Sequence, residues 1–207
     1  MRTVYAGETF PTTITKILYL AGPSPRDKSH PNWREETLRR LEQEGYDGHV
    51  FVPLPRDGQF PDDYQAQATW EQSAMDRSDV VLFWVPRNLV TLPAFTTNVE
   101  FGQKCRNRNV VLGYPKGAPK CRFLGYLAER NFIDHTETLE QTIKLALDKI
   151  GVGAERHGGE CEVPLYLWRT PHFQSWLQAQ KSAGNRLDGC SVELTLGVGP
   201  KKAFLFY

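Results

Sequence analysis

The segment Thr96-Thr97-Asn98-Val99-Glu100-Phe101-Gly102 sets a carboxylate in what reads as the first turn of a helix. A carboxylate held there, at the edge of a sheet where ligands bind, can serve as a nucleophile or a general base. The same spacing has a plainer use. Thr97 and Glu100 stand three apart, as in a capping box, where the glutamate folds back onto the threonine's backbone N–H and complements the helix dipole. That is the commoner use of such a pair, and the two roles conflict. A carboxylate tied to its own helix terminus is not free to attack. On spacing alone both readings stay open.

Other polar side chains fall just past the ends of apolar runs. Asp57, beside Gly58, is a candidate for contacting a base or a sugar, although Asp-Gly pairs most often make turns. Arg26 and Arg87 follow the first and third apolar runs and suit bidentate phosphate binding, with a solvated surface as the alternative for each. Trp33 and Trp70 are best read as buried packing. Asp79 precedes the third run, so it lies at the wrong end of a sheet for chemistry and reads as structural. The chain lacks G-x-G-x-x-G, a Walker loop, G-x-S-x-G and H-E-x-x-H. The five histidines share no ligand spacing, and the four cysteines lie far apart without a C-x-x-C pair. Reduced thiols are expected, with no metal and no organic cofactor.

These residues need a scaffold. Residues 17–20 read as a first strand that Ala21-Gly22-Pro23-Ser24-Pro25 cannot continue. A helix follows, with Asn32 and Glu35 as its capping box, Trp33, Leu38 and Leu41 on its apolar side, and Gly45 as its stop. Residues 49–52 form a second strand, ended by Pro53 and Pro55. A helix then lies between Asp63 and Asp76. Residues 80–85 are apolar throughout, as a central parallel strand covered on both faces should be. A helix carrying residues 97–105, a strand at 110–113, a further strand at 131–133 and an amphipathic helix through Leu139, Ile143, Ala146, Leu147 and Ile150 complete the pattern. Five strands with intervening helices predict an α/β, doubly wound, flavodoxin-like parallel five-stranded sheet with helices on both faces. In such sheets ligands sit beyond the carboxyl ends of the strands.

The expected organisation is a catalytic domain over residues 1–150, a glycine-rich linker over 151–159, and a small C-terminal α+β appendage over 160–207. The appendage holds strand-like runs at 164–168, 191–196 and 203–207 around one short helix at 171–181. Its closing run, Ala203-Phe204-Leu205-Phe206-Tyr207, is apolar and needs a strand partner. With 25 basic and 24 acidic side chains the net charge is +1, too even for a chain that grips phosphate backbones, so nucleic acid is not an expected partner. The longest apolar run, residues 80–85, is too short to span a bilayer. No leader-like opening is seen, and a cytoplasmic, membrane-free protein is expected.

The chain resembles the nucleoside 2-deoxyribosyltransferase-like family. The resemblance rests on "ILYLAGPSPR", "NWREETLRRLEQEGYDGHVFVP", "WEQSAMDRSDVVLFWVPR", "LPAFTTNVEFG" and "VVLGYP", in the family's order over roughly residues 16–130. It implies cleavage of the N-glycosidic bond of a nucleoside or nucleotide through a glycosyl-glutamate intermediate, with transfer of the sugar to another base or to water. Glu100 matches the nucleophile. Tyr19 matches the tyrosine whose hydroxyl orients that carboxylate, and Gly22 and Pro23 of "YLAGP" stand beside the substrate. Glu71 matches the acidic residue that binds, and can protonate, the nucleobase. For Glu71 the local pattern favours this only if its helix begins late, with Thr69 and Gln72 as the capping box; a start at Asp63 favours a solvated charge. The better-known transferases carry an aspartate six residues before the nucleophile, where this chain has Ala94. Asn98 can stand in as a hydrogen-bonding group. The resemblance also implies a homo-oligomer, a dimer or a higher even-numbered assembly, for which Phe95, Tyr114, Phe123 and Tyr126 are candidate interface residues. A nucleotide-sensing module on the same fold is the alternative.

Overall fold

The computed structural model describes residues 1–12, 15–25, 32–60, 62–106, 109–155, 160–164, 170–182 and 202–206. The chain divides into two units, Met1–Glu155 and Arg156–Tyr207. In the first unit the elements run β1 (Arg2–Tyr5), β2 (Ile17–Ala21), α1 (Trp33–Gln43), β3 (His49–Val52), α2 (Tyr64–Arg77), β4 (Val80–Trp84), α3 (Phe95–Lys104), β5 (Val110–Gly113), α4 (Arg122–Arg130), β6 (His135–Thr136) and α5 (Leu139–Ile150). The six strands form one parallel sheet in the order β1-β3-β2-β4-β5-β6. Without β1 this is the flavodoxin-like order, so the doubly wound α/β fold expected from the sequence is the fold observed.

Every residue of β2, β3, β4 and β5 is buried, and strand alternation sends successive side chains to opposite faces. Tyr19, Ala21, Phe51, Val81 and Phe83 pack with Ala74 and Met75 of α2, Phe101 of α3, and Leu124 and Ala128 of α4. Leu18, Leu20, Val50, Leu82 and Trp84 pack on the other face with Trp33 and Leu41 of α1 and Ile143, Ala146 and Ile150 of α5. Tyr19 therefore shares a face with the helices that carry Glu71 and Glu100. Its neighbours in register are Phe51 and Val81.

Three expectations are corrected. The sheet has six strands rather than five, because Arg2–Tyr5 pairs with β3 at the edge; four residues of mixed exposure give too short a pattern to read. The last strand is His135–Thr136, not residues 131–133. Phe132 instead sits in the left-handed region at φ 56° with its ring 94% exposed. The third correction concerns α3, which begins at Phe95, two residues earlier than the capping pattern suggested. Its cap is Ala94, at φ 58°, with no side-chain hydrogen bond.

In the second unit, β7 (Glu160–Pro164) and β8 (Lys202–Phe206) pair antiparallel, with Cys161 opposite Leu205, and α6 spans Pro171–Ser182. Residues 203–206 of the terminal apolar run thus have a strand partner. The strand-like runs at 165–168 and 191–196 lie outside the described residues. No helix among the described residues is long and apolar enough to cross a membrane.

Candidate active site

Glu100 lies in the second turn of α3, because the helix starts at Phe95. That early start removes the capping box: Thr97 is already the third helical residue and is buried. The glutamate is then turned inward, leaving only 8% of its surface exposed. Burial drives its pKa up to about 7, and the neighbouring Glu71 carboxylate pushes in the same direction; the Arg34 guanidinium opposes both. A buried carboxylate with a raised pKa and no capping duty is a candidate for chemistry.

Glu71 reaches the same place from α2. This helix begins at its cap Asp63, whose side chain accepts from the Ala66 N–H at 3.0 Å. The later start at Thr69 is therefore wrong, and so is the inference that an early start would leave Glu71 solvated. Tyr64, Gln65 and Ala66 are exposed, and burial begins in the following turns, so Glu71 lies in the third turn of α2 and not at its exposed start. Glu71 is half-buried there, accepts from Gln67 Nε2 at 2.9 Å, and has its pKa raised chiefly by burial. Tyr19 is 1% exposed. Burial, and then the charges of Glu100 and Glu71, raise its pKa well above that of an ordinary tyrosine. Its hydroxyl thus keeps the proton it would donate to a carboxylate.

Arg34 completes the group and was not anticipated. It is 1% exposed and forms a fork over the turn that follows β2. Nε donates to the Leu20 carbonyl at 3.1 Å, Nη2 to the Gly22 carbonyl at 2.5 Å, and Nη1 to the Pro23 carbonyl and Ser24 Oγ, both at 3.3 Å. Burial lowers its pKa to about 10, countered by the charges of Tyr19, Glu100 and Glu71, so it remains a cation at neutral pH. A signal for it existed in the sequence. A basic residue in the first turn of a helix opposes the dipole that Glu35 and Glu36 beside it complement, and so asks for another purpose.

The remaining candidates divide clearly. Gly22 has φ 149°, and a Cβ there would meet the Trp84 carbonyl oxygen at 2.2 Å. Only glycine allows β2 and β4 to close so tightly at the site. The Pro23 carbonyl accepts from Trp33 Nε1 at 2.9 Å, so Trp33 packs and anchors the loop. Trp70 is packed too, stacked on Phe10 at 5.3 Å. Arg87 is not a solvated surface arginine: it is 6% exposed, donates from Nη1 to the Lys120 carbonyl at 2.7 Å, and donates from Nη2 to Asn98 Oδ1. It holds Asn98 in place. Asp57 is exposed, with Oδ1 accepting from the Gln59 N–H at 3.0 Å, which is turn chemistry. Asp79 accepts from the Ile17 N–H at 2.7 Å, a structural tie between β2 and the start of β4. Arg26 lies outside the described residues. Cys105 and Cys121 are free, buried thiols.

Tyr19, Glu71, Glu100 and Arg34 thus converge from β2, α2, α3 and α1 at the carboxyl ends of the strands, where doubly wound sheets bind ligands. A concavity of ≈ 790 Å³ at the amino ends is lined by the charged side chains of Arg40, Glu44, Asp47, Glu140, Lys144 and Asp148 beside Tyr46 and Ile143, and none of the four residues above lines it. Among the described residues no cluster of three or more His, Cys, Asp or Glu is arranged to hold a metal ion. A family model described as nucleoside 2-deoxyribosyltransferase like matches residues 15–118, half of the chain. No curated protein matches the chain.

Proposed function

The chain belongs to the nucleoside 2-deoxyribosyltransferase-like family, and from that membership and the geometry of the site we propose that it cleaves the N-glycosidic bond of a nucleoside or nucleotide. One observation carries the reading: Glu100 is buried, released from any capping role, and faced by a protonated tyrosine and a second carboxyl group. In the first step the ionised Glu100 carboxylate attacks the anomeric carbon and the C–N bond to the base breaks. In this reading the Glu71–Glu100 pair shares one proton, and from Glu71 that proton passes to the departing base nitrogen as Glu100 attacks. Tyr19 donates a hydrogen bond that orients the attacking oxygen. In the second step another base, or water, displaces Glu100 from the sugar, and Glu71 takes up the acceptor's proton. Two displacements at one carbon retain its configuration, as in retaining glycosidases.

Ala94 offers no polar group toward the sugar, and the Asn98 amide oxygen is engaged by Arg87. Both features loosen the recognition of sugar hydroxyls, and they favour a second reading, a nucleotide sensor on the same fold. Base release from a panel of nucleosides and nucleotides separates the two. The enzyme releases base and Glu100→Gln does not; ligand-dependent stabilisation without release after long incubation marks the sensor. Excess acceptor base then distinguishes transfer, which yields a new nucleoside, from hydrolysis, which yields only free sugar.

The same reading includes self-association. Phe95 (69% exposed) and Val99 (60%) on α3, the helix that carries Glu100, and the stacked pair Phe123 (66%) and Tyr126 (50%) on α4 are exposed apolar side chains. Tyr114, the fourth aromatic candidate, is half-buried and stacks on His135 instead. A second copy covering α3 and α4 would shield the site from water.

A further inference from the structure

We propose that Arg34 is a positioning residue for this site: its guanidinium fixes the turn after β2 through three backbone carbonyls and sets a positive charge opposite Glu71 and Glu100. The proposal rests on the reading of Glu100 as the nucleophile and adds to it the group that makes this carboxylate usable.

The geometry is unusual for an arginine. Arg34 is 1% exposed, yet its hydrogen bonds go to the carbonyls of Leu20, Gly22 and Pro23 and to a hydroxyl, not to a carboxylate. A buried charge is normally neutralised by a bonded partner, because desolvation is costly. Here the balancing charges are Glu71 and Glu100, felt across space and reached from two other helices. The guanidinium plane also lies over the Trp33 ring, 4.5 Å from its centroid. Trp33 Nε1 in turn donates to the same Pro23 carbonyl. Ring, fork and turn form one rigid block at the start of α1.

That block does two things. It turns the carbonyl oxygens of Leu20, Gly22 and Pro23 toward α1, away from where an anionic or oxygen-rich sugar would meet them. It also offsets the burial and the Glu71 repulsion that together disfavour the ionised Glu100. The charges that act on Glu100 are those of Glu71 of α2 and Arg34 of α1, and Tyr19 of β2 in turn feels the charge of Glu100. Only Arg34 among them is positive. Lysine would keep the charge but not the planar fork that three carbonyls require.

The test uses the full chain and needs two variants, Arg34→Lys and Arg34→Met, with Glu100→Gln to assign the Glu100 signal. The carboxyl carbons of isotopically labelled glutamate are titrated by NMR. In Arg34→Met the Glu100 midpoint rises by about one pH unit, the effect of removing a nearby opposite charge; in Arg34→Lys it stays near that of the native chain. Both variants lower kcat for base release at least about tenfold, Arg34→Lys through the lost fork and Arg34→Met through both losses. The acid limb of the rate profile moves up in Arg34→Met alone. A Glu100 midpoint unmoved in Arg34→Met overturns the electrostatic claim, and native kcat in both variants overturns the positioning claim. If Arg34→Met does not fold, Arg34→Gln replaces it in the titration. Should the native chain release no base, the proposed function fails while the titration still decides what Arg34 does to Glu100.

Discussion

A carboxyl group that titrates near 7 when folded and near 4.5 when unfolded leaves a mark on stability as well as on rate. Between those values the folded chain holds a proton that the unfolded chain has lost, so stability falls as pH rises. The contribution is whole below about 4.5 and gone above about 7, where the ionised Glu100 costs on the order of 3 kcal/mol. Glu100→Gln removes that cost. At pH 8 its Tm should exceed that of the native chain by several degrees, at pH 5 the two should nearly coincide, and base release should be lost at both. An equal shift at both pH values would mean that Glu100 is not the strained carboxylate. The rate should show the same group: kcat/KM climbs along an acid limb bending near pH 7, a value that belongs to the Glu71–Glu100 pair. Glu71→Gln takes away a like charge, so the limb should move to lower pH while kcat falls. At this scale it was the resemblance, not the spacing, that singled out Glu100, Tyr19 and Glu71, because Thr97-x-x-Glu100 read alone is a capping pattern. The sequence was not legible for Arg34, whose role depends on a turn twelve residues upstream folding back under α1. The burial of Arg87 was hidden for a similar reason, since its partners Asn98 and Lys120 are distant in the chain.

Elements decide where those groups stand. The close approach of Gly22 to the Trp84 carbonyl joins β2 to β4 at the level of the site. Gly22→Ala should therefore destabilise the chain by about 2 to 3 kcal/mol, as overpacking against backbone does. A urea midpoint that falls with an unchanged slope would show it, and a midpoint within error of native would contradict the contact. Asp63 caps α2. Asp63→Ala should cost about 1 kcal/mol and leave the Glu71 titration in place, because Glu71 lies two turns further in. The strands were readable since β2, β3, β4 and β5 are buried throughout and their apolar runs admit little else. Helix starts were not. The spacing Thr97-x-x-Glu100 imitates a capping box, but backbone geometry at Ala94 begins α3 without one. Thr69-x-x-Gln72 imitates another inside α2. Capping patterns are short, and tertiary contacts choose among them.

For the molecule as a whole, the sheet order sets the candidate site at the carboxyl ends of the strands, and α3 and α4 leave apolar side chains exposed. If a second copy covers that surface, sedimentation should report an assembly at micromolar concentration. Phe123→Glu should then shift it toward monomer, with kcat reduced although Glu100 is untouched. A native chain that stays monomeric, or a Phe123→Glu variant that keeps both assembly and rate, would contradict the covering copy. The fold class was legible because alternating strands and helices permit few layered arrangements. The edge strand β1 was not, since its partner β3 lies more than forty residues away.

The most direct measurement is covalent. Incubation with nucleosides and nucleotides bearing fluorine at the sugar 2′ carbon slows the second displacement and accumulates the glycosyl-enzyme. Mass spectrometry of the digested chain should find one sugar added, on the peptide containing Glu100 and at that residue. The adduct should disappear when a good acceptor base is added, and should not form in Glu100→Gln. Base released with no adduct on Glu100, or an adduct on another side chain, would contradict the account.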